Sequence, residues 1–249
     1  MITIKTAQQI ELMAEAGRIL AACHRELREI IRPGITTMQI DRFAEHFIRS
    51  HGAKAEQKGY QGYPFATCAS VNDEICHGFP TQTPLREGNI VTIDMVVNLN
   101  GWLADSAWCY PVGQISEQAE KLLKVTKECL YFGINKAVLG NRLGDISHAI
   151  QIHAESHGFS VVRDFTGHGI GHNMHEAPQV LHYGHPNKGV RLFEGMVFTI
   201  EPMINMGSYS LTIDRNEWTA RTADGSLSAQ YEHTIAITKN GPLVLTEQD

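Results

Sequence analysis

No run of this sequence approaches the roughly twenty apolar residues needed to span a membrane. Nor is there a cluster of Lys and Arg that could form the electrostatic footprint of a nucleic-acid or anionic-lipid surface. Basic side chains are outnumbered, 21 Lys and Arg against 27 Asp and Glu, for a formal net charge of -6. These shortages argue against nucleic acid and membrane as partners. Met1 to Lys5 lacks the basic-then-apolar layout of a secretory signal, so a cytoplasmic protein is expected. The five cysteines, at 23, 68, 76, 109 and 129, contain no C-x-x-C pair. That argues for reduced thiols and against a disulfide framework or a Cys-based zinc site. What is present is 249 residues at 43% hydrophobic and 19% charged content, enough for a sizeable core.

The apolar residues are arranged in a repeat. Thr6 with Gln9 reads as a capping box, and Ile10, Met13, Leu20, Leu27 and Ile30 follow at helical spacing until Pro33-Gly34. Thr36 with Gln39 starts a second helix that ends at Gly52. Ile90 to Leu99, Asn100-Gly101 and Trp102 to Tyr110 then read as a hairpin, because Asn-Gly supplies the positive φ angles of a tight turn. The second half repeats this order. Helices are expected from about Ser116 to Leu139 and from about Asp145 to Ser156, with strands around Met196 to Ile204 and Leu227 to Thr238. Gly34, Ser50, His51 and Gly52 match Gly140, Ser156, His157 and Gly158 at a constant offset, and Glu87, Gly88, Thr92 and Ile93 match Glu194, Gly195, Thr199 and Ile200 one residue further on. An ancient duplication follows, with halves of approximately 1–113 and 114–249. Two copies of helix, helix and hairpin predict an α+β fold with a pseudo-twofold axis and helices on one face of an antiparallel sheet.

The repeat aligns acids with acids. Asp94 and Glu201 both follow a Thr-Ile pair inside runs built for burial. A lone buried carboxylate costs several kcal/mol unless paired or metal-bound, so two at equivalent positions call for a shared cation. If Asn100-Gly101 is a two-residue turn, Asp94 pairs with Ala107, and Asp105 stands one diagonal step from Asp94 on the same face. A slip of one residue would turn either acid outward. Tyr231-Glu232-His233 supplies the second-half counterpart of Asp105. In Thr166 to Pro178, His168, His172 and His175 alternate with glycines. The pattern has neither the H-E-x-x-H of helical zinc proteases nor the Lys-Ser/Thr of a phosphate loop. A glycine-rich strand that brings one imidazole to a metal fits it better.

Asp94, Asp105, Gly-His-Gly around His168, Thr-Ile-Glu201-Pro and Gln230-Tyr-Glu232-His together resemble the methionine aminopeptidases of type I, in their short bacterial form. The likeness covers essentially the whole chain, and VNDEICHG, TGHGIG, TIEPM and SLSAQYEHT fall in that family's order and spacing. The resemblance implies the pita-bread fold in a single catalytic domain over 1–249. It implies removal of the initiator methionine from nascent chains whose second residue is small. It also implies two divalent metal ions, Co, Mn, Fe or Zn: Asp94 and Glu201 as terminal ligands, Asp105 and Glu232 as bridges, and His168 completing one site. Four carboxylates match two such ions in charge. Glu201 is the implied proton carrier, and His77 and His175, each heading an H-x-x-P, flank the substrate as catalytic groups. Tyr60, Tyr63, Cys68, Met174 and Trp218 match positions lining the methionine pocket. Two residues depart from the pattern, Gln57 where some relatives have cysteine and Met174 where many have phenylalanine. His172, His182 and His185 are expected at the surface or behind the ligands. A monomer is expected, and contact with the ribosome is a further expectation. Two other functions are weighed: an Xaa-Pro-type dinuclear peptidase, which needs an additional N-terminal domain for which this length leaves no room, and a non-catalytic scaffold, against which all five ligands and both histidines argue.

Overall fold

The computed structural model describes residues 1–248 of the chain. Four α-helices form its outer layer: α1 Ala7–Ile30, α2 Thr37–Ser50, α3 Glu117–Lys136 and α4 Leu143–Ser156. At the start of α1 the Gln9 N–H donates to Thr6 Oγ1 and the Thr6 N–H donates to Gln9 Oε1. Thr36 and Gln39 repeat this exchange at α2, so both capping boxes mark real helix starts. α2 and α4 are each 14 residues long, and both bounds are displaced by the same 106 positions as the sequence repeat. Asp145 takes the part of Gln39 there, accepting from the Arg142 N–H. Gly52 and Gly158, just beyond these helices, have φ of 74° and 84°, the left-handed conformation that glycine adopts with least strain.

The first half contains β1 Lys54–Ala55, β2 Cys68–Val71, β3 Glu74–Cys76, β4 Ile90–Leu99 and β5 Trp102–Pro111. The second contains β6 Ser160–Val161, β7 Gly167–Gly169, β8 Glu176–Val180, β9 Val197–Ile200, β10 Met203–Asn205, β11 Leu211–Ile213, β12 Ala220–Thr222, β13 Ser228–Gln230, β14 His233–Thr238 and β15 Gly241–Val244. The strand pairs are antiparallel. β4 is flanked by β5 on one side and by β1 and β2 on the other, and a five-stranded sheet runs β15-β14-β9-β7-β8. The hairpin register is the one the Asn-Gly turn predicts: Leu99 opposes Trp102, and Asp94 opposes Ala107. Asn100 and Gly101 have φ of 54° and 87°.

α1 packs on β4 and β5, and α3 packs on β9, β10 and β13. Leu20 and Leu27 share one buried cluster with Ile93 and Met95 under the first helix, and with Leu122, Leu130, Phe198 and Ile200 under the second pair of elements. Each such fully buried side chain contributes about 1.5–3 kcal/mol. The second-half strands are shorter than the sequence suggests. The run Met196 to Ile204 is interrupted at Glu201-Pro202, and Leu227 to Thr238 at Tyr231-Glu232. Pro202 has no N–H for a ladder, and the Glu232 N–H goes instead to the Ala107 carbonyl of β5 at 2.8 Å. α3 ends at Lys136 rather than Leu139, and α4 begins two residues before Asp145. Among the described residues no helix is long and apolar enough to cross a membrane.

Candidate metal centre

Asp94 on β4 and Asp105 on β5 share a sheet face, because Val96, two residues beyond Asp94, is the residue opposite Asp105. Glu201 lies in the gap between β9 and β10, and Glu232 in the gap between β13 and β14. The halves are joined at the acids themselves. Besides the Glu232–Ala107 bond, Ser106 Oγ donates to the Glu232 carbonyl at 2.9 Å. The Asp105 N–H donates to Thr234 Oγ1 at 2.9 Å, and that hydroxyl donates to the Asp105 carbonyl at 2.8 Å. His168 stands on β7 between Gly167 and Gly169. A Cβ on Gly167 would lie 2.5 Å from the Thr199 carbonyl oxygen, so glycine is what lets β7 approach β9 this closely.

Hydrogen bonds hold both the backbone and the ring of His168. The backbone N–H of His168 donates to Thr199 Oγ1 at 3.0 Å, which fixes the strand, and Thr199 Oγ1 donates to Glu201 Oε1 at 2.7 Å. His168 Nδ1 donates to the Gly169 carbonyl at 3.1 Å. This leaves the Nε2 lone pair 3.7 Å from Asp105 Oδ2 and 3.6 Å from Glu201 Oε1. Fixing one ring nitrogen so that the other can bind is how proteins prepare a histidine ligand. Burial pushes the His168 pKa down to about 4, with the neighbouring His175 adding to the effect, so the ring is neutral near pH 7.

The carboxylates are in an environment that protein groups alone do not satisfy. Asp105 is 5% exposed, Glu201 8% and Glu232 2%. Burial raises the Asp94 carboxyl to about 7 and Glu201 to about 8. Burial and then repulsion from the other acids push Asp105 and Glu232 well above the usual carboxylate range. Among the described residues no Lys or Arg pairs with any of the four, and Asp105 Oδ1 and Glu232 Oε1 are buried without a hydrogen-bond partner. Donor atoms of Asp105, His168 and Glu232 lie within 4.8 Å of one another. Buried oxygens without partners, converging with a neutral imidazole and no cationic side chain, fit a divalent metal.

A cavity of about 310 Å³ opens beside these groups, lined by all five together with Tyr60, Tyr63, Cys68, His77, Met174, His175 and Trp218. Every residue the sequence singled out for catalysis, metal or substrate therefore borders one space. Tyr63 Oη donates to backbone, with the Gly78 carbonyl at 2.9 Å, so it offers the cavity only its ring, edge-on to Trp218 at 5.0 Å. Tyr60 Oη bonds His175 Nδ1 at 2.8 Å. His77 packs edge-on against Phe165, and burial lowers its pKa to about 4. Gln57 lines the same cavity with its amide 3.4 Å from both Asp94 Oδ1 and Cys68 Sγ. His182 is 1% exposed and accepts from the Glu201 N–H through Nε2 at 3.2 Å, whereas His172 lies exposed against Trp102 and His185 is exposed. Val96 and Phe165 on the cavity wall stand outside every motif of the sequence analysis, whereas Met203 and Gln230 on that wall and Thr234 behind Asp105 fall inside TIEPM and SLSAQYEHT without a role assigned there. Nothing in the local sequence distinguishes Val96 or Phe165 from ordinary strand or loop residues.

Residues 11–239 match the family model described as metallopeptidase family M24. The chain is 52% identical to a methionine aminopeptidase of Clostridium perfringens and 50% identical to methionine aminopeptidase 1 of Bacillus subtilis, each match covering 99% of both chains. A crystal structure of methionine aminopeptidase from Rickettsia prowazekii superposes with a TM-score of 0.98 at 42% identity, covering 99% of this chain and 100% of that one.

Proposed function

The chain belongs to metallopeptidase family M24, and from that membership and the cavity geometry we infer that it is a methionine aminopeptidase, a hydrolase that removes the N-terminal methionine of proteins and peptides. The observation that carries this reading is the convergence of Asp94, Asp105, His168, Glu201 and Glu232 on one cavity, with two buried carboxylate oxygens lacking partners. These five residues would hold two divalent ions, drawn from Co, Mn, Fe or Zn. Bound there, the ions supply Lewis-acid chemistry, acidifying a water and polarising the carbonyl of the first peptide bond.

The protein's own groups do the rest. Glu201, oriented by the Thr199 hydroxyl, moves a proton from the attacking water to the leaving amine. His77 and His175 flank the scissile amide as hydrogen-bonding groups that steady charge developing on its oxygen and nitrogen. Tyr60 engages His175 Nδ1 and leaves the other ring nitrogen for the substrate. Tyr63, its hydroxyl occupied by backbone, forms with Cys68, Met174 and Trp218 a soft apolar slot suited to a thioether. The substrates are nascent chains in the cytoplasm with a small second residue. Because Ile2 follows Met1, the protein should keep its own Met1.

The test is an assay of metal-free protein with Mn, Fe, Co or Zn restored anaerobically, against Met-Ala-Ser, Met-Ile-Ser and Ala-Pro-Ser. Release of methionine from the first alone is expected. Cleavage of Ala-Pro-Ser alone would assign the protein to the proline peptidases, and silence with every metal would make it a scaffold.

A further inference from the structure

His153 and His157 stand four residues apart at the end of α4, so their rings share one side of the helix, with centroids 4.5 Å apart. Glu128 reaches them from α3, its Oε2 2.8 Å from His153 Nε2. One donor atom from each of the three lies within 4.8 Å of the others. Ligand atoms around a single tetrahedral ion stand about 3.4 Å apart, so small side-chain adjustments close the set. None of the three lines the catalytic cavity.

Their hydrogen bonds already orient the rings. His157 Nδ1 donates to the His153 carbonyl at 2.8 Å, which makes Nε2 the unprotonated nitrogen of the neutral ring. His153 Nε2 donates to Glu128 Oε2, and an entering ion takes the place of that proton, which moves to Nδ1 of the same neutral ring. Lys124 approaches Glu128 from the other oxygen, Oε1, at 4.0 Å, leaving Oε2 to the histidines. The Phe132 ring lies 4.5 Å from His153 and limits its motion. The site remains accessible, with the Glu128 side chain 36% exposed and His153 18%.

We propose that Glu128, His153 and His157 form a peripheral site for a borderline-soft divalent ion such as Zn²⁺ or Ni²⁺, separate from the catalytic centre, that clips α3 to the end of α4. Two imidazoles and one carboxylate favour such ions over Mg²⁺ or Ca²⁺, and water completes the coordination. Untagged protein, stripped of metal and dialysed to saturation against Zn²⁺, should hold one equivalent more than either His157→Asn or Glu128→Gln. Methionine release at the Mn-loaded catalytic centre should be the same in all three. Equal zinc content in the three proteins would overturn the proposal. A second measurement needs no variant. After the catalytic centre is filled with Zn²⁺, one equivalent of Cu²⁺ should give an electron paramagnetic resonance signal with hyperfine structure from two imidazole nitrogens. A signal with one nitrogen or none would count against the site.

Discussion

Asp94 and Asp105 sit inside two regular ten-residue strands joined by a tight turn, whereas Glu201 and Glu232, their counterparts in the second half, occupy gaps between short strands. In the first half the alternation of side chains across a pleated sheet is enough to aim both carboxylates the same way. In the second, that alternation stops where the acids begin. Pro202 ends one ladder, and the Glu232 backbone leaves the other to bond with β5. The bonds from Ser106 and Thr234 then hold the irregular half against the regular one. Equivalent positions in a duplicated fold are thus kept by different means: the continuous hairpin sets the geometry and the interrupted half docks on it.

The largest effect should come from removing the two carboxylates that meet at this junction. Asp105→Asn and Glu232→Gln keep the side-chain shape but remove the charge. Each should lower kcat for Met-Ala-Ser by roughly a thousandfold, because Lewis-acid stabilisation is worth several kcal/mol. Metal content should fall in both. If Glu232→Gln kept its activity while Asp105→Asn lost it, the halves would differ in role as well as in backbone.

Next in size is Gly169→Ala. β7, which carries His168, has no counterpart among the acid-bearing strands of the first half, and a Cβ on Gly169 would collide with the Ala177 carbonyl of β8. Backbone must move to relieve that contact, at a cost of about 3 kcal/mol, and His168 would move with it. Urea unfolding should show the loss of stability, and metal titration a weaker site. Wild-type metal affinity in this variant would mean that His168 tolerates displacement. Thr234→Val comes third. It leaves the Asp105 N–H and carbonyl without their hydroxyl partner, costing about 2 kcal/mol, or roughly 4–8 °C in Tm for a chain of this size. A smaller fall would mean that the Glu232–Ala107 and Ser106 bonds hold the junction without it.

The same contrast explains what could be read from the sequence. The Asn100-Gly101 turn fixed the register of β4 and β5 and hence the shared face of Asp94 and Asp105, because a two-residue turn admits one pairing. The capping boxes and the constant offset located α2 and α4. The strands holding Glu201 and Glu232 were read as continuous because Thr-Ile before Glu201 and Thr-Ile-Ala after His233 carry an unbroken β pattern; only the partners, which lie far away in the chain, reveal the gaps. Thr199, Thr234 and His182 act through contacts 31, 129 and 19 residues distant. A hydroxyl in a β-branched run looks the same whether or not a ligand leans on it.

The regular half also carries a weakness at low pH. His24 of α1 is fully buried behind β5, where Nε2 donates to the Ser106 carbonyl at 3.2 Å and Nδ1 meets the Tyr110 hydroxyl at 2.7 Å. Burial lowers its pKa from 6.5 to about 4. Above pH 6.5 the ring is neutral in both folded and unfolded chains, so it adds no pH dependence. As the pH falls below 6.5 the unfolded chain takes up a proton that the folded chain refuses until about 4, and stability drops by about 1.4 kcal/mol per pH unit across that window. Urea midpoints at pH 7, 6 and 5 should therefore fall less steeply in His24→Gln than in the parent, whatever the variant loses at pH 7, because the comparison is between slopes. His182, for which burial lowers the pKa to about 3, contributes to the slope in both proteins. Parallel slopes would show that His24 takes up its proton in the folded state, and the acid sensitivity would then rest on other histidines that burial holds neutral, among them His77, His182 and His233.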